Sequence, residues 1–581
     1  MRKPDILSTP VFFLLALAVS VSVCATESFA LAFREQQQLF LWNWAYVRDI
    51  LFNVGGFARL VALFLVQFFH FRLLAILIPA FVCALIPALL YHSTRRRSYA
   101  SMMLCLTVTF PIVALAGHNQ LHFDIFIAFL LAALFFDIYS RTIRHKAVLS
   151  VILTATLWLL AGPVAFPFAL MLSLSDIAKR RFSLPAALPL AVSLILPLIH
   201  NLTGCSPGIQ LLPYFHYEIS GSMPAFIIIA WFSLPAVVLF SEFFPATADL
   251  AHNVACAAIC ILAGCLSILF RPQETPQQRA IYKYEFYLNC GRYAELELEA
   301  AKHINRYIDS EYRNLASAMQ GRLLDDLFKV KQNSPQSLIY CPDDHSALTV
   351  LARTLYEAGD YAAAQNIASN ALQSFCGFSP SMLILLERIE MLRGNEKVAA
   401  KYASLLGRSL LYRKTAARIL AGEEHSATES ANFDCPEAFV INPVPYNEIV
   451  MLADNNPLNV NTVEYALAIM LLAKDFNGIY RFVDRHYASL GRLARPVQEA
   501  LVFFSDYYSS TSKEYALAHG LGEEQYAEYS GIDLEWCRRH GVSEEVIRNF
   551  VGFKNAYASS GGNAPERFSR TFWYYLLFVK I

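Results

Sequence analysis

Apolar runs of membrane length alternate with short polar loops from residue 11 to residue 272. A helix needs roughly 20 apolar residues to cross a bilayer. The pattern predicts a first span over 11–25, then spans over about 73–91, 101–117, 125–140, 184–201, 224–244 and 252–270. The run 147–177 is too long for one crossing and is interrupted at Gly162 and Pro163, so it reads as a hairpin of two short spans. Seven spans and the two of the hairpin make nine crossings. The first run follows Met1, Arg2 and Lys3 and also fits a signal peptide, with small residues at Val23 and Ala25 before a cut. The many spans after it favour an uncleaved first span.

Between the first two spans the pattern changes. Phe29, Phe33, Phe40, Trp44, Val47 and Leu51 recur at helical steps and form one apolar stripe, with Arg34, Glu35, Gln38 and Asp49 largely off it. This predicts a helix lying in the membrane interface, ended by Gly55 and Gly56. Residues 57–71 are apolar but short and read as a second interfacial or re-entrant segment.

Basic residues then set an orientation. Arg2 and Lys3, residues 95–97, Arg141, Arg144 and Lys146, and residues 179–181 all fall on one side of the predicted bundle. The short loops on the other side (118–124, 161–163 and 202–222) contain no Lys or Arg. The positive-inside tendency makes the amino terminus cytoplasmic and everything after residue 272 extracytoplasmic. The expected location is a multi-pass inner membrane protein.

After residue 272 the composition is that of a soluble chain, and one pattern recurs. YEFYLNCGRYAELELEAA (284–301) and ARTLYEAGDYAAAQNIAS (352–369) place Gly291 and Gly359 68 residues apart, twice a 34-residue period. Gly394 follows in ERIEMLRGNEKVAAKYAS, and YALAIMLLAKDFNGIYRFV (465–483) is a weaker copy. Each copy is an apolar helix, a polar turn and a second helix with small residues. The pattern resembles the tetratricopeptide repeat, which implies an α-solenoid of stacked helix pairs. It covers 273–490, with a degenerate unit between 310 and 340 and an irregular stretch over 420–445. Residues 491–581 read as a helical extension whose end, FWYYLLFVKI, is too short to span and packs on the repeats or touches the bilayer. The whole is an all-α chain: a transmembrane bundle over 1–272 with interfacial helices at 28–71, then the repeat domain and the extension.

Composition sharpens this picture. The chain of 581 residues is 56% hydrophobic and only 16% charged, outside the soluble range. Its 47 basic and 47 acidic residues balance, so no bulk charge draws it to nucleic acid. The twelve cysteines form no CxxC pair and no zinc-finger spacing. No phosphate-binding loop, dinucleotide fingerprint, HExxH, GxSxG or EF-hand pattern occurs, which weighs against a nucleotide-driven pump, a common metalloprotease and a serine hydrolase. No cofactor and no metal site is legible.

The candidate chemistry lies in the first loop. Glu35 and Asp49 are the carboxylates placed to act as general base on an acceptor hydroxyl, with Glu27 nearby. Arg34 and Arg48 are placed to hold a lipid phosphate. The plainer reading makes all of them the solvated face of an interfacial helix. His118, His122 and Asp124 have a ligand-like spacing but read as a polar loop, Asp137 and Glu242 as span-end acids, and Tyr214, His216, Tyr217 and Glu218 as an interface-anchoring loop.

EQQQLFLWNWAYVRDILFNVGGFARLVALFLVQFF (35–69), together with the closing TFWYYLL, resembles an uncharacterised family of large bacterial membrane proteins. The architecture is also similar to that of the C-superfamily membrane glycosyltransferases. That likeness implies a lipid-phosphate-linked sugar donor at the outer leaflet and an acidic residue in the first loop, Glu35 or Asp49. The chain departs from it in lacking an Asp-Asp or Asp-Glu pair there. Two functions follow as expectations: a membrane protein displaying a repeat domain that binds a protein partner in the cell envelope, and a lipid-linked sugar transferase. The expected partners are the bilayer, a protein on the repeat surface and a lipid-linked sugar.

Overall fold

The computed structural model describes all residues except 1–7, 95–97, 119–120, 143, 179–183, 203–224, 244–249, 271–273, 304–305, 342–346, 375–378, 424–444, 560, 564 and 581. The basic residues expected at 2–3, 95–97 and 179–181, the 202–222 loop with Tyr214, His216, Tyr217 and Glu218, the Glu242 side chain and most of the irregular 420–445 stretch lie outside that description. Every described element is a helix. The chain forms two compact units, Met1–Lys283 with Arg408–Leu411, and Tyr284–Gly407 with Tyr412–Ile581.

The first unit is a bundle. Its first eleven α-helices are α1 (Ser8–Thr26), α2 (Ser28–Phe33), α3 (Trp44–Leu51), α4 (Gly56–Val66), α5 (Arg72–Ser93), α6 (Tyr99–Thr107), α7 (Thr109–Ala114), α8 (Asp124–Arg141), α9 (Lys146–Ala161), α10 (Ala165–Ala178) and α11 (Leu188–Leu202). Ala225–Phe243 and Leu250–Phe270 follow. Five described stretches are long and apolar enough to cross a membrane: Thr9–Thr26, Arg72–Ser93, Tyr99–Gly117, Lys146–Ala178 and Leu250–Phe270. The fourth is broken at Gly162, whose φ of 70° takes the left-handed turn, and α9 and α10 lie against each other. α5 is the hub: it packs on α1 and on α8, and α8 in turn on α9. Large apolar side chains such as Leu14, Ile261 and Leu269 face outward, as lipid contact requires. At the end of α8, Asp137 is buried but fully engaged, with Arg141 Nη2 at 2.8 Å, His92 Nδ1 at 3.1 Å and Ser93 Oγ at 3.0 Å. That is a structural clasp between α5 and α8.

The single interfacial helix expected over 28–56 is two helices. The chain leaves α2 through a 3-10 turn at Arg34–Gln37, extends from Gln38 (φ −154°, ψ 150°), and restarts at α3. The reason is local. Asn43 takes an extended conformation, and its side chain accepts from the Ala45 amide, so it starts a new helix inside the apolar stripe. α3 has no buried residue and exposes Trp44. α4 has 11 residues, about 16 Å at 1.5 Å each, too short to cross. It packs instead on α8 and α9, burying Ala58, Ala62 and Val66.

The second unit is built on helix pairs. Tyr307–Ala318 and Leu323–Asp326, Leu348–Glu357 and Tyr361–Ser374, Pro380–Leu392 and Glu396–Leu406, and Val460–Leu472 and Phe476–Leu490 are joined by turns at Gly321, Gly359, Gly394 and Lys474. All four turn residues have positive φ, between 61° and 81°. Each turn closes with the same backbone bond at 2.9 Å, from Arg322, Asp360, Asn395 and Asp475 back to Ser317, Leu355, Glu390 and Met470. This is the Schellman closure, which satisfies carbonyls that a helix end leaves bare. Only glycine takes that conformation without a steric penalty, so Lys474 is the exception. Its ammonium group donates to the Leu576 and Val579 carbonyls. Buried Ala364, Ala368, Ala399 and Ala403 let the helices approach.

These pairs do not simply stack in order. Leu323–Asp326 packs on Val460–Leu472 and on Arg495–Ser510. The Phe328 ring lies 5.2 Å from Tyr575 and 6.0 Å from Phe572. One continuous apolar core runs from Leu323 to Tyr575 and includes the fully buried Trp573. Trp573 Nε1 donates to the Glu499 carbonyl at 2.7 Å, and the Phe572 amide donates to the Glu499 carboxylate at 2.7 Å.

Candidate functional site

In the first unit, the 3-10 turn at Arg34–Gln37 packs on a second one at Gln67–His70, and α2 packs on that turn and on a third at Leu115–Gly117. A 3-10 turn is tighter than an α-helix and brings neighbouring side chains close to the backbone of what it packs on. The result is a cluster of buried charges. Glu27, Arg34 and Glu35 are 5%, 3% and 3% exposed.

Arg34 reaches across the bundle. Its Nη2 donates to the Ala116 and His118 carbonyls, both at 2.8 Å, which satisfies the end of the α7 segment. Among the described residues its Nε and Nη1 have no hydrogen-bond partner, and neither has His118 Nδ1. Burial lowers the Arg34 pKa to about 10, so the guanidinium remains charged at neutral pH. Burial likewise lowers the His118 pKa, with Glu274 opposing and Arg34 assisting, which favours a neutral imidazole.

Glu35 belongs to a different arm of the cluster. Gln36 Nε2 donates to its Oε2 at 2.7 Å, and His70 Nδ1 lies 3.9 Å from the same oxygen. The Glu35 interaction raises the His70 pKa against the opposing effect of burial. A carboxylate with an adjacent imidazole is a proton-accepting pair.

Two further contacts brace the cluster. Arg279 Nη2 pairs with Glu27 Oε1 at 3.2 Å. Arg72 Nε donates to Ser28 Oγ at 3.1 Å, and its guanidinium stands 4.3 Å from the Phe29 ring centroid. Gly117 is required by this packing: a Cβ there would stand 2.8 Å from Glu27 Cγ and 2.9 Å from its Cδ.

Of the residues the sequence put forward, Arg34, Glu35 and His118 come into this cluster, and Glu27 with them. Arg48 and Asp49 do not. They sit on α3 as an exposed pair, Nη2 to Oδ1 3.2 Å, with more than half of each side chain in solvent. Sequence reasoning missed His70, Arg72 and Arg279. His70 and Arg72 were visible as polar residues interrupting the apolar run QFFHFRLL (67–74), whereas nothing local marks Arg279. Among the described residues no three of His, Cys, Asp or Glu come together as a metal site.

No curated protein and no solved structure matches this chain. One family does, over residues 3–579, and it is described only as a family of unknown function (DUF6057). The chain, bundle and helix pairs alike, therefore belongs to that family of unknown function.

Proposed function

We propose that this protein is a membrane transferase that holds a lipid-linked sugar through its phosphate at Arg34 and His118. The observation that carries this reading is Arg34, a buried, charged guanidinium whose Nε and Nη1 have no hydrogen-bond partner among the described residues. A buried unsatisfied donor costs about 1–3 kcal/mol, more when charged. Phosphate is the acceptor whose geometry matches a guanidinium edge. Glu35, backed by His70, is the proton acceptor. In the step envisaged, an acceptor hydroxyl loses its proton to Glu35 and bonds to the anomeric carbon. The bond from that carbon to the lipid phosphate breaks, and the released lipid phosphate keeps the electron pair beside Arg34. The resemblance of the sequence pattern to the C-superfamily glycosyltransferases is an analogy that suggests this reading.

The test is binding of farnesyl phosphate to the full chain in zwitterionic nanodiscs. Arg34→Gln should weaken it more than about tenfold, and Glu35→Gln should leave it unchanged while abolishing transfer. Unchanged binding in Arg34→Gln would remove the basis of the proposal.

The topology that accompanies it is nine crossings, a cytoplasmic amino terminus and an extracytoplasmic second unit in the inner membrane. Cys290 and Cys341 are exposed in that unit. A membrane-impermeant maleimide should label them in intact spheroplasts, and labelling only after lysis would reverse the orientation.

A second reading is that the paired helices form a tetratricopeptide-like surface for a protein partner. It is favoured by the repeated closure at Gly321, Gly359, Gly394 and Lys474. A scaffold would tolerate Glu35→Gln in cells and fail on charge reversal of the exposed faces of the helix pairs.

A further inference from the structure

The second unit contains a cleft of about 560 Å³ between residues 328–333 and the segment 569–580. Lys329, Lys331, Arg570 and Lys580 line it, and among the described residues no acidic one does. Tyr574 and Phe578 supply an aromatic wall. Lys329 pairs with Asp326, which stands outside the lining. Among the described residues no carboxylate pairs with Lys331, Arg570 or Lys580. Four basic side chains thus line the cleft from its two sides, and only Lys329 among them has a carboxylate partner among the described residues. The volume is that of a small-molecule site rather than of a surface dimple.

The cleft is also a fixed feature of the fold. One side is the strand-like exit from the 3-10 turn Leu327–Lys329, held by Gln332 Nε2 donating to the Leu327 carbonyl at 2.8 Å. The other is the last helix, Phe572–Phe578, pinned by Lys474 and by Glu499. Both walls belong to one core.

The geometry points to a binding site for a small molecule carrying two or more phosphate groups and an apolar or ring face, which stacks on Tyr574 and Phe578. This site is independent of Arg34. Lysine and arginine grip phosphate as point charge and fork, and a ring face adds aromatic contact.

The experiment uses the full chain in phosphatidylcholine nanodiscs, titrated with inorganic pyrophosphate and with the aromatic trianion pyranine. Saturable binding of both is expected, tighter for pyranine and weakened by salt. Lys331→Glu combined with Arg570→Glu should reduce it more than about tenfold. Both residues are exposed, so the fold should survive, which circular dichroism checks. Arg34→Gln should leave this binding unchanged, which separates it from the site in the first unit. Nanodiscs containing phosphatidylglycerol form the second arm. If these lipids block pyrophosphate in the native chain, the phosphate source is a lipid headgroup; if not, it is soluble. Absence of saturable binding in both arms, or equal binding by the double variant, would overturn the proposal.

Discussion

Glu499 should make the last helix of the second unit hold more tightly in mild acid than in mild base. Its carboxylate is buried, and burial raises its pKa from 4.5 to about 7, against the opposing hydrogen bonds from the Phe572 amide and Arg495. The folded state therefore binds the proton more tightly than the opened state does. A raised pKa gives stability that is complete below about 4.5 and is lost as pH climbs through about 7. A shift of that size corresponds to about 3 kcal/mol, most of which falls between pH 5 and pH 8. Glu499→Gln keeps an oxygen for the Phe572 amide and removes the titration. The assay is hydrogen exchange of the peptide covering 570–578, native chain against variant at each pH, so that intrinsic exchange rates cancel. The protection of Glu499→Gln relative to the native chain should rise by between one and two orders of magnitude from pH 5 to pH 8, the same free energy expressed as a ratio. Asp360, whose pKa burial raises to about 6, works in the same direction in both proteins and drops out of the comparison. A ratio that stays flat across this range would refute the assignment of the proton to Glu499.

Other outcomes follow from the same structure. Gly117→Ala should force the Glu27 carboxylate aside, since its Cβ would stand 2.8 Å from Glu27 Cγ, and it should weaken farnesyl phosphate binding by disturbing the Arg34 anchor at Ala116. Asp49→Asn and Arg48→Gln should leave both binding and transfer at native levels, because the pair is exposed; a loss equal to that of Glu35→Gln would move the chemistry to α3. Gly394→Ala places a side chain at φ 74° with nothing within 4 Å, so it should cost about 1 kcal/mol in thermal unfolding, from backbone strain alone. Trp573→Ala should cost about 3–5 kcal/mol, read by chemical denaturation of the full chain, because the side chain is wholly buried and bonds to Glu499.

Periodicity reports which face of a helix is apolar, and the helices of the bundle were legible on that basis. α5 and α8 stand where their apolar runs do, and the break at Gly162 is where the long run was interrupted. The glycine turns at Gly359 and Gly394 were legible because a left-handed closure demands one residue type. Arg34 and Glu35 were legible as candidates but their burial was not: lying off the apolar stripe, they read as solvated, yet they are buried against other parts of the chain. Periodicity cannot tell water from a distant polar partner. The restart at Asn43 was hidden because the stripe continues in register across it. Arg279 on Glu27 and Phe572 on Glu499 pair residues 252 and 73 positions apart, and no local pattern encodes such pairs.

The contact of Phe328 with Tyr575 has a mechanical consequence. In an open repeat array each pair touches only its neighbours, so the ends can fray one pair at a time under heat or load. Here the ring packed at a tilt on Tyr575 belongs to a residue 247 positions earlier, and the helices between them share the same core. Fraying at the carboxyl-terminal end must first break that clasp, and breaking it exposes the middle. The second unit should therefore give way in one cooperative step, with a single rupture force rather than a staircase.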